Sequence, residues 1–313
     1  MTIHVAAAAI FDAEGRVLIG RRADHLHQGG LWEFPGGKLE PGESAREALA
    51  RELKEELDIL PLSIEPLIRI RHAYADRRVC LDFFRVTDFA GEARGMEDQP
   101  LQWLTPWEMR PDAFPAADRP VISALRLPEC YLISGQDPRH GRDFLRRLES
   151  SLRAGLRLVQ LRAHQLDDLS YKAVLEEALA ICRRFGARLL VNRPQQCIRW
   201  LGRADGIHLS AAQLLELNHL PRSEGLVGAS CHNPRELARA SSLRLDYALL
   251  SPVLATASHP GLPALGWERF AEWVDEANLP VYALGGMQSG LRDRAKAAGA
   301  QGIAAIRGFW PEA

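Results

Sequence analysis

The sequence has almost no net charge: 39 Lys and Arg against 40 Asp and Glu leave −1 over 313 residues. No overall field draws such a chain to DNA or to an anionic membrane, so neither partner is expected, and any phosphate must be held by local groups. No apolar run approaches the roughly 20 residues that span a bilayer. Val5–Phe11 is apolar, but no basic segment precedes it and Asp12 follows at once, which is not the make-up of a secretory leader. Cysteine is scarce: Cys80, Cys130, Cys182, Cys197 and Cys231 are odd in number, far apart and without a Cys-x-x-Cys pair. That excludes a disulfide framework or a zinc site and reads as small buried thiols in a cytoplasmic protein. Low-complexity tracts and solenoid-type repeats are also missing.

What remains is a chain with ample core material, 47% hydrophobic and 25% charged, and too long for one ordinary domain. Its two parts follow different patterns. In residues 1–127, strand-like runs (Val5–Phe11, Val17–Gly20, Leu67–Ala73, Val79–Val86, Leu101–Leu104) surround one strong helix, Ala45–Leu57, which predicts an α+β sandwich. In residues 130–313, eight short apolar runs alternate with helical segments: Cys130–Ser134, Arg157–Arg162, Leu189–Asn192, Gly206–Leu209, Leu226–Ser230, Tyr247–Ser251, Val281–Leu284 and Gly302–Ile306. Strands apolar nearly throughout are buried on both faces, and eight β-α units predict a (β/α)8 TIM barrel.

The chemistry of the first part lies between Gly37 and Ile59. Ser44 is placed to cap the helix, with Glu47 at the capping-box spacing. Glu52, Glu55 and Glu56 stand at i, i+3 and i+4, within an arc of roughly 100°, beside a stripe of Leu49, Leu53 and Leu57 that anchors the helix. Three carboxylates on one rigid face repel unless a cation joins them, and hard oxygen ligands suit Mg2+ or Mn2+.

The stretch Gly37-x5-Glu43-x7-Arg51-Glu52-Leu53-x-Glu55-Glu56 resembles the Nudix box, departing from it at Asp58, where the family usually has glycine. Arg21-Arg22, Leu31-Trp-Glu33-Phe34-Pro35-Gly36-Gly37-Lys38, Tyr74-Ala-Asp76-Arg77, Glu97-Asp-Gln-Pro100 and Phe114–Ile122 extend the likeness to the MutT branch of Nudix hydrolases. The resemblance implies a metal-dependent pyrophosphohydrolase that takes oxidised guanine nucleotides such as 8-oxo-dGTP to the monophosphate and pyrophosphate. It implies that Gly36, Glu52, Glu55, Glu56 and Glu97 hold metal, that Glu43 orients the box, and that Glu52 is the first choice for the base. Arg22 would meet substrate phosphate, Asp76 and Arg77 would flank the base, and Glu33, Phe34 and Lys38 would line the substrate. Where the branch reads the base with asparagine this chain has Asp118. An ionised Asp118 would accept from the N7–H of 8-oxoguanine but repel its O6.

In the second part, Val159-Gln160-Leu-Arg162, Leu190-Val-Asn192, Asp205-Gly-Ile-His208-Leu, Gly228-Ala-Ser230-Cys-His232 and Leu284-Gly285-Gly286 follow the order of barrel strand ends. They resemble the thiamine-phosphate synthase and thiazole tautomerase family. That implies a phosphate site built from Gln160, Arg162, Asn192, Ser230, His232, Gly285, Gly286 and Arg307, for a thiazole or pyrimidine phosphate. The family's two metal-binding aspartates are Arg193 and Gln213 here, and its pyrophosphate-binding lysine is His164. Loss of synthase activity is therefore expected. Three readings stay open for the barrel: a tautomerase-like enzyme using His232, a phosphate-binding regulatory module, or an inert scaffold. A hydrolase of thiamine-pathway pyrophosphates stays open for the whole chain.

Overall fold

In the computed structural model, described for residues 2–310 except 26–27, 136–141, 194–196, 201, 221–224 and 257–262, the chain divides into two units, Met1–Arg126 and Leu127–Ala313.

The first unit is built on β1 (Thr2–Ile10), which explains the unbroken apolar run in its sequence. Successive residues of a strand face opposite sides. Ala6, Ala8 and Ile10 pack with Leu49, Leu53 and Leu57 of α1 (Ala45–Leu57). Ala7 and Ala9 pack on the other side with Phe34, Phe83, Phe114, Val121 and Ile122. The other strands are β2 (Val17–Arg21), β3 (Trp32–Glu33), β4 (Gly36–Lys38), β5 (Leu60–Pro61), β6 (Glu65–Ala73), β7 (Arg78–Val86), β8 (Phe89–Ala90) and β9 (Leu101–Leu104). The main sheet runs β4-β1-β7-β6, with β1 and β7 parallel; β3-β2-β9 and β5-β8 form smaller sheets. A second helix, α2 (Arg119–Arg126), packs under β6. The expected sandwich is present with one helix more than the sequence reading names. Asp58 ends α1 in the left-handed conformation, φ 57°, where the family's glycine would sit.

The second unit closes on itself. Strands β10 (Cys130–Ile133), β11 (Leu158–Arg162), β12 (Arg188–Asn192), β13 (Gly206–Leu209), β14 (Leu226–Cys231), β15 (Tyr247–Leu250), β16 (Val281–Ala283) and β17 (Gly302–Ala305) each pair in parallel with the next. β10 pairs with β17 to complete the barrel, as the eight runs predict. Helices α3 (Arg142–Arg153), α4 (Asp168–Arg184), α5 (Ala211–Glu216), α6 (Pro234–Ser242), α7 (Gly266–Asp275) and α8 (Arg292–Ala297) cover its outside. Inside lie Leu158, Leu190, Leu226 and Leu249 with three tyrosines, Tyr131, Tyr247 and Tyr282. Gly228 makes room for them: a Cβ there would sit 2.0 Å from the Tyr247 ring.

No helix among the described residues is long and apolar enough to cross a membrane. Cys80, Cys130, Cys182 and Cys231 are free thiols; the Cys197 side chain lies outside the described residues.

Candidate functional site

In the first unit the site is laid out by α1 and the turn before it. Ser44 Oγ accepts from the Glu47 amide at 3.3 Å, and the Glu47 carboxylate accepts from the Ser44 amide at 2.8 Å, so both ends of the capping box are made. The three leucines fix the helix's roll, and β4 passes over its acidic face. Two glycines allow that passage. Gly36 has φ +143°, and a Cβ there would lie 2.1 Å from the Ala6 carbonyl oxygen; one on Gly37 would lie 2.1 Å from the Glu52 carboxyl carbon.

Arg51, which the sequence reading quotes but does not single out, organises the carboxylates. It donates to Glu43 at 3.0 Å through both Nε and Nη2, to Glu52 at 2.9 Å and to Glu55 at 3.2 Å. It also donates to the Lys38 carbonyl at 3.1 Å, which ties β4 to the helix. The bonds from Arg51 hold the Glu43 carboxyl below the usual range. Glu56 is not among the partners of Arg51 and accepts from the Gly36 amide at 3.2 Å. Burial, with the charges of Glu52 and Glu97 adding to it, pushes the Glu56 carboxyl up to about 7. Glu97 is exposed and is held near Glu56 by Gln99, also outside the expected set. Gln99 accepts from the Glu97 amide at 2.9 Å and donates to the Glu56 carbonyl at 3.0 Å.

Among the described residues no three acidic, histidine or cysteine side chains converge closely enough to hold an ion. The donor chemistry nonetheless suits a hard divalent cation. All the side chains are carboxylates, and the half-buried Glu56 is under repulsion from two others that a cation would relieve.

Two cavities flank this face. One, about 250 Å3, is lined by Arg22, Glu33, Glu56, Glu97 and Gln99. The other, about 320 Å3, is lined by Arg22, Glu33, Phe34, Lys38, Tyr74, Arg77, Phe83 and Asp118. Phe34 is edge-on to Phe83, ring centroids 5.6 Å apart. Asp76 does not line either cavity; it accepts from Arg77 at 2.7 Å. Glu43, Glu52 and Glu55 are also off both walls. Tyr74, a cavity residue outside the expected set, has its phenol pKa raised by burial and by the Asp118 carboxyl. Asp118 departs from expectation in charge. It is only 6% exposed, and burial pushes its carboxyl up to about 7, with Arg22 opposing. Burial thus favours the neutral acid, the form not considered in the sequence pattern.

In the barrel a cavity of about 860 Å3 opens at the carboxyl ends of the strands, where barrel enzymes place their sites. The structure brings together Gln160, Arg162, Asn192, Ser230, His232, Gly285, Gly286 and Arg307 on its wall, and adds His164. His164 Nε2 meets Asn192 Oδ1 at 2.7 Å, and Asn192 donates to the His208 carbonyl at 2.8 Å. His232 Nδ1 lies 2.9 Å from the Ser251 carbonyl, which can only accept, so Nδ1 carries a proton and donates to it. Arg193 is absent from the wall. Its guanidinium donates to the carbonyls of Ala163 and Leu166 at 3.1 and 2.9 Å and to Asp168 at 3.0 Å, lying over the Tyr171 ring. Gln213 is used in a capping box with Ser210 and donates to the Arg193 carbonyl at 2.9 Å.

Residues 6–124 match the NUDIX domain family and residues 130–309 the thiamine monophosphate synthase family. The 8-oxo-dGTP diphosphatase of Escherichia coli (strain K12) is 36% identical over 124 residues, 40% of this chain and 96% of that protein. The CTP pyrophosphohydrolase of the same organism is 39% identical over 117 residues, 37% of this chain and 87% of that protein. A putative thiamine-phosphate synthase 2 of Aquifex aeolicus (strain VF5) is 32% identical over 192 residues, 59% of this chain and 99% of that protein. The chain belongs to the Nudix family in its first unit and to the thiamine monophosphate synthase family in its second.

Proposed function

We propose that the first unit hydrolyses a nucleoside triphosphate to the monophosphate and pyrophosphate, with 8-oxo-dGTP as its preferred substrate and nucleotide-pool sanitation, which keeps oxidised guanine out of replicating DNA, as its role. The observation that carries this reading is the pair of cavities sharing Arg22 and Glu33, one ending at Asp118 and the other at Glu56 and Glu97. A base fits the first, where Phe34, Val79, Leu81 and Phe83 offer apolar surface and Asp118 a polar group. A triphosphate reaches along Arg22 into the second, where the guanidinium offers paired donors to phosphate oxygens.

Mg2+ or Mn2+ held by Glu52, Glu55, Glu56, Glu97 and the Gly36 carbonyl would neutralise phosphate oxygens and make a bound water more acidic. Arg51 ties Glu52 and Glu55 on the helix to Glu43 in the turn before it. Glu52 remains our choice to accept the water's proton. Asp118 in its protonated form has both functions that 8-oxoguanine needs: its C=O accepts from N7–H and its O–H donates to O6. Guanine presents a lone pair at N7 and loses the first of these, so it binds less well. The free thiols agree with a reducing, cytoplasmic setting.

The barrel, on this reading, has lost synthase activity. Arg193 and Gln213, at the positions of the family's metal aspartates, are committed to holding loops rather than facing the cavity. A thiazole-type phosphate with His232 as proton acceptor remains the second reading, favoured by the place of His232 on the cavity wall and by the Ser251 carbonyl that orients its ring. The test is a panel of 8-oxo-dGTP, dGTP, CTP and thiamine-pathway diphosphates with full-length protein, with and without EDTA, reading pyrophosphate against phosphate. Metal-dependent pyrophosphate release with 8-oxo-dGTP far ahead supports the proposal. Equal rates for dGTP and 8-oxo-dGTP, or release of phosphate alone, refute it.

A further inference from the structure

The last turn of α1 ends in carbonyls that the helix itself leaves without partners. The segment between β8 and β9 supplies them. The Arg94 amide donates to the Leu57 carbonyl at 3.1 Å and the Met96 amide to the Glu56 carbonyl at 2.9 Å. Gln99 Nε2 reaches the same Glu56 oxygen at 3.0 Å. Glu97 therefore lies between two attachments to one atom of Glu56, and its own amide donates to Gln99 Oε1 at 2.9 Å. Both ends of the Gln99 side chain are used. Their assignment is forced, since a backbone carbonyl can only accept and a backbone N–H can only donate.

The rest of the segment is shaped around this side chain. Gly95 gives it room: a Cβ there would sit 2.5 Å from the Gln99 carbonyl oxygen and 2.9 Å from Oε1. Asp98 takes the left-handed conformation, φ 56°, which turns the chain from Glu97 back to Gln99. Met96, Glu97 and Asp98 are exposed, whereas Gln99 is half-buried. Glu97 thus gains little from packing of its own. Its place beside Glu56 on the wall of the cavity of about 250 Å3 is kept by these hydrogen bonds.

We propose that Gln99 is a positioning residue for the divalent cation: it joins Glu97 to Glu56 through the backbone, so that the two carboxylates meet the ion as a preformed pair. A carboxylate on an untethered loop must be ordered each time an ion binds, and that ordering is subtracted from affinity. Gln99 does the ordering before the ion arrives. It acts through Glu97 and not by touching substrate. This role rests on the hydrolase reading for Glu97 as a ligand, and goes beyond it in naming what sets the strength of metal binding.

The test is Mn2+ binding to full-length protein without nucleotide, followed by calorimetry. Gln99→Met keeps the length of the side chain and loses both hydrogen bonds. It is expected to weaken Mn2+ about tenfold or more, the usual effect of removing a hydrogen-bond partner behind a ligand. In a Glu97→Gln background the same substitution is expected to add less than about twofold, because the group it positions is already gone. In steady-state assays the half-saturating metal concentration should rise in Gln99→Met, while KM for nucleotide at saturating metal stays within about twofold. Unchanged Mn2+ affinity in Gln99→Met, an equal loss in the Glu97→Gln background, or no Mn2+ binding that depends on Glu97 would each overturn the proposal. Gln99→Asn, too short to bridge both groups, should lose affinity in the same way and decides the matter if the methionine variant fails to fold. Wild type that binds Mn2+ through Glu97 yet releases no pyrophosphate would sink the hydrolase reading alone, and the binding data would still decide this one.

Discussion

Arg22 is ion-paired with Glu33, and the pair forms a wall common to two cavities, one ending at the buried Asp118 and the other at Glu56 and Glu97. A substrate with its base in the first and its phosphates in the second must pass this guanidinium. Arg22→Ala is therefore expected to lower kcat/KM for the triphosphate by about 10- to 100-fold, mostly through KM, as charge-assisted hydrogen bonds to phosphate are lost. Steady-state pyrophosphate release measures it. An unchanged KM would mean that the substrate takes another route across the domain.

Asp118 ties stability to pH. Its folded carboxyl titrates at about 7 against 3.8 for the ordinary group. Between these values the folded protein keeps the proton and the unfolded chain does not, so stability falls as pH rises from about 4 to 7 and then levels off. Asp118→Asn removes that loss. It is expected to stabilise the first unit by on the order of a few kcal/mol at pH 7.5, with the gain vanishing near pH 4. Thermal scans across pH check this, and an equal difference at both ends would contradict the buried proton. Turnover of 8-oxo-dGTP by wild type should fall above pH 7 as the O–H donor is lost, whereas the asparagine variant, which keeps an N–H donor, should not follow it.

How much of this was legible beforehand depends on how local its cause is. The helix Ala45–Leu57 could be read to the residue because its cap, Ser44 with Glu47, and its leucine stripe lie within one segment. The eight barrel strands could be read because burial on both faces leaves each nearly all apolar. The helix Arg119–Arg126 shows in no local pattern: it is two turns long, has proline at its second position, and is held by packing under a distant strand. Glu52, Glu55 and Glu56 could be named from helical spacing, but not that Arg51 would hold Glu52 and Glu55 while Glu56 turns to Gly36. The protonation of Asp118 was illegible for the same reason, since burial is a property of the folded chain. Nor does any local pattern show that Tyr131, Tyr247 and His208 meet inside the barrel, because each comes from a different strand.

Gly37 tests how closely β4 must approach the acidic helix face. A methyl at this position would lie within 2.3 Å of three atoms of the Glu52 carboxyl group, so Gly37→Ala must displace Glu52, the strand, or both. Because Glu52 is anchored through Arg51 to Glu43 and to the Lys38 carbonyl, the displacement spreads through the whole carboxylate set. A fall in kcat of about 100-fold or more is expected, since misplacement of about 1 Å can cost that much. Circular dichroism should remain native. Normal turnover would show that Glu52 need not stand where the structure has it.

Arg193 makes the corresponding test in the barrel. Its side chain is 11% exposed and bridges the Ala163 and Leu166 carbonyls to Asp168 while covering Tyr171. Removing it leaves two carbonyls and a carboxylate without this donor and uncovers an aromatic face. Arg193→Ala is expected to destabilise the barrel by about 2–4 kcal/mol. The effect should appear as faster amide exchange in β11 and β12, the strands whose ends it joins. Arg193→Asp should be worse, because it sets a second carboxylate beside Asp168 and supplies neither donor. If Arg193→Asp instead gave a well-folded barrel that bound Mg2+, this position would be a vacant ligand site and not a structural clamp, and the case for lost synthase chemistry would fail with it. Exchange rates matching wild type in Arg193→Ala would fail it too, by showing that these hydrogen bonds do not hold the loop.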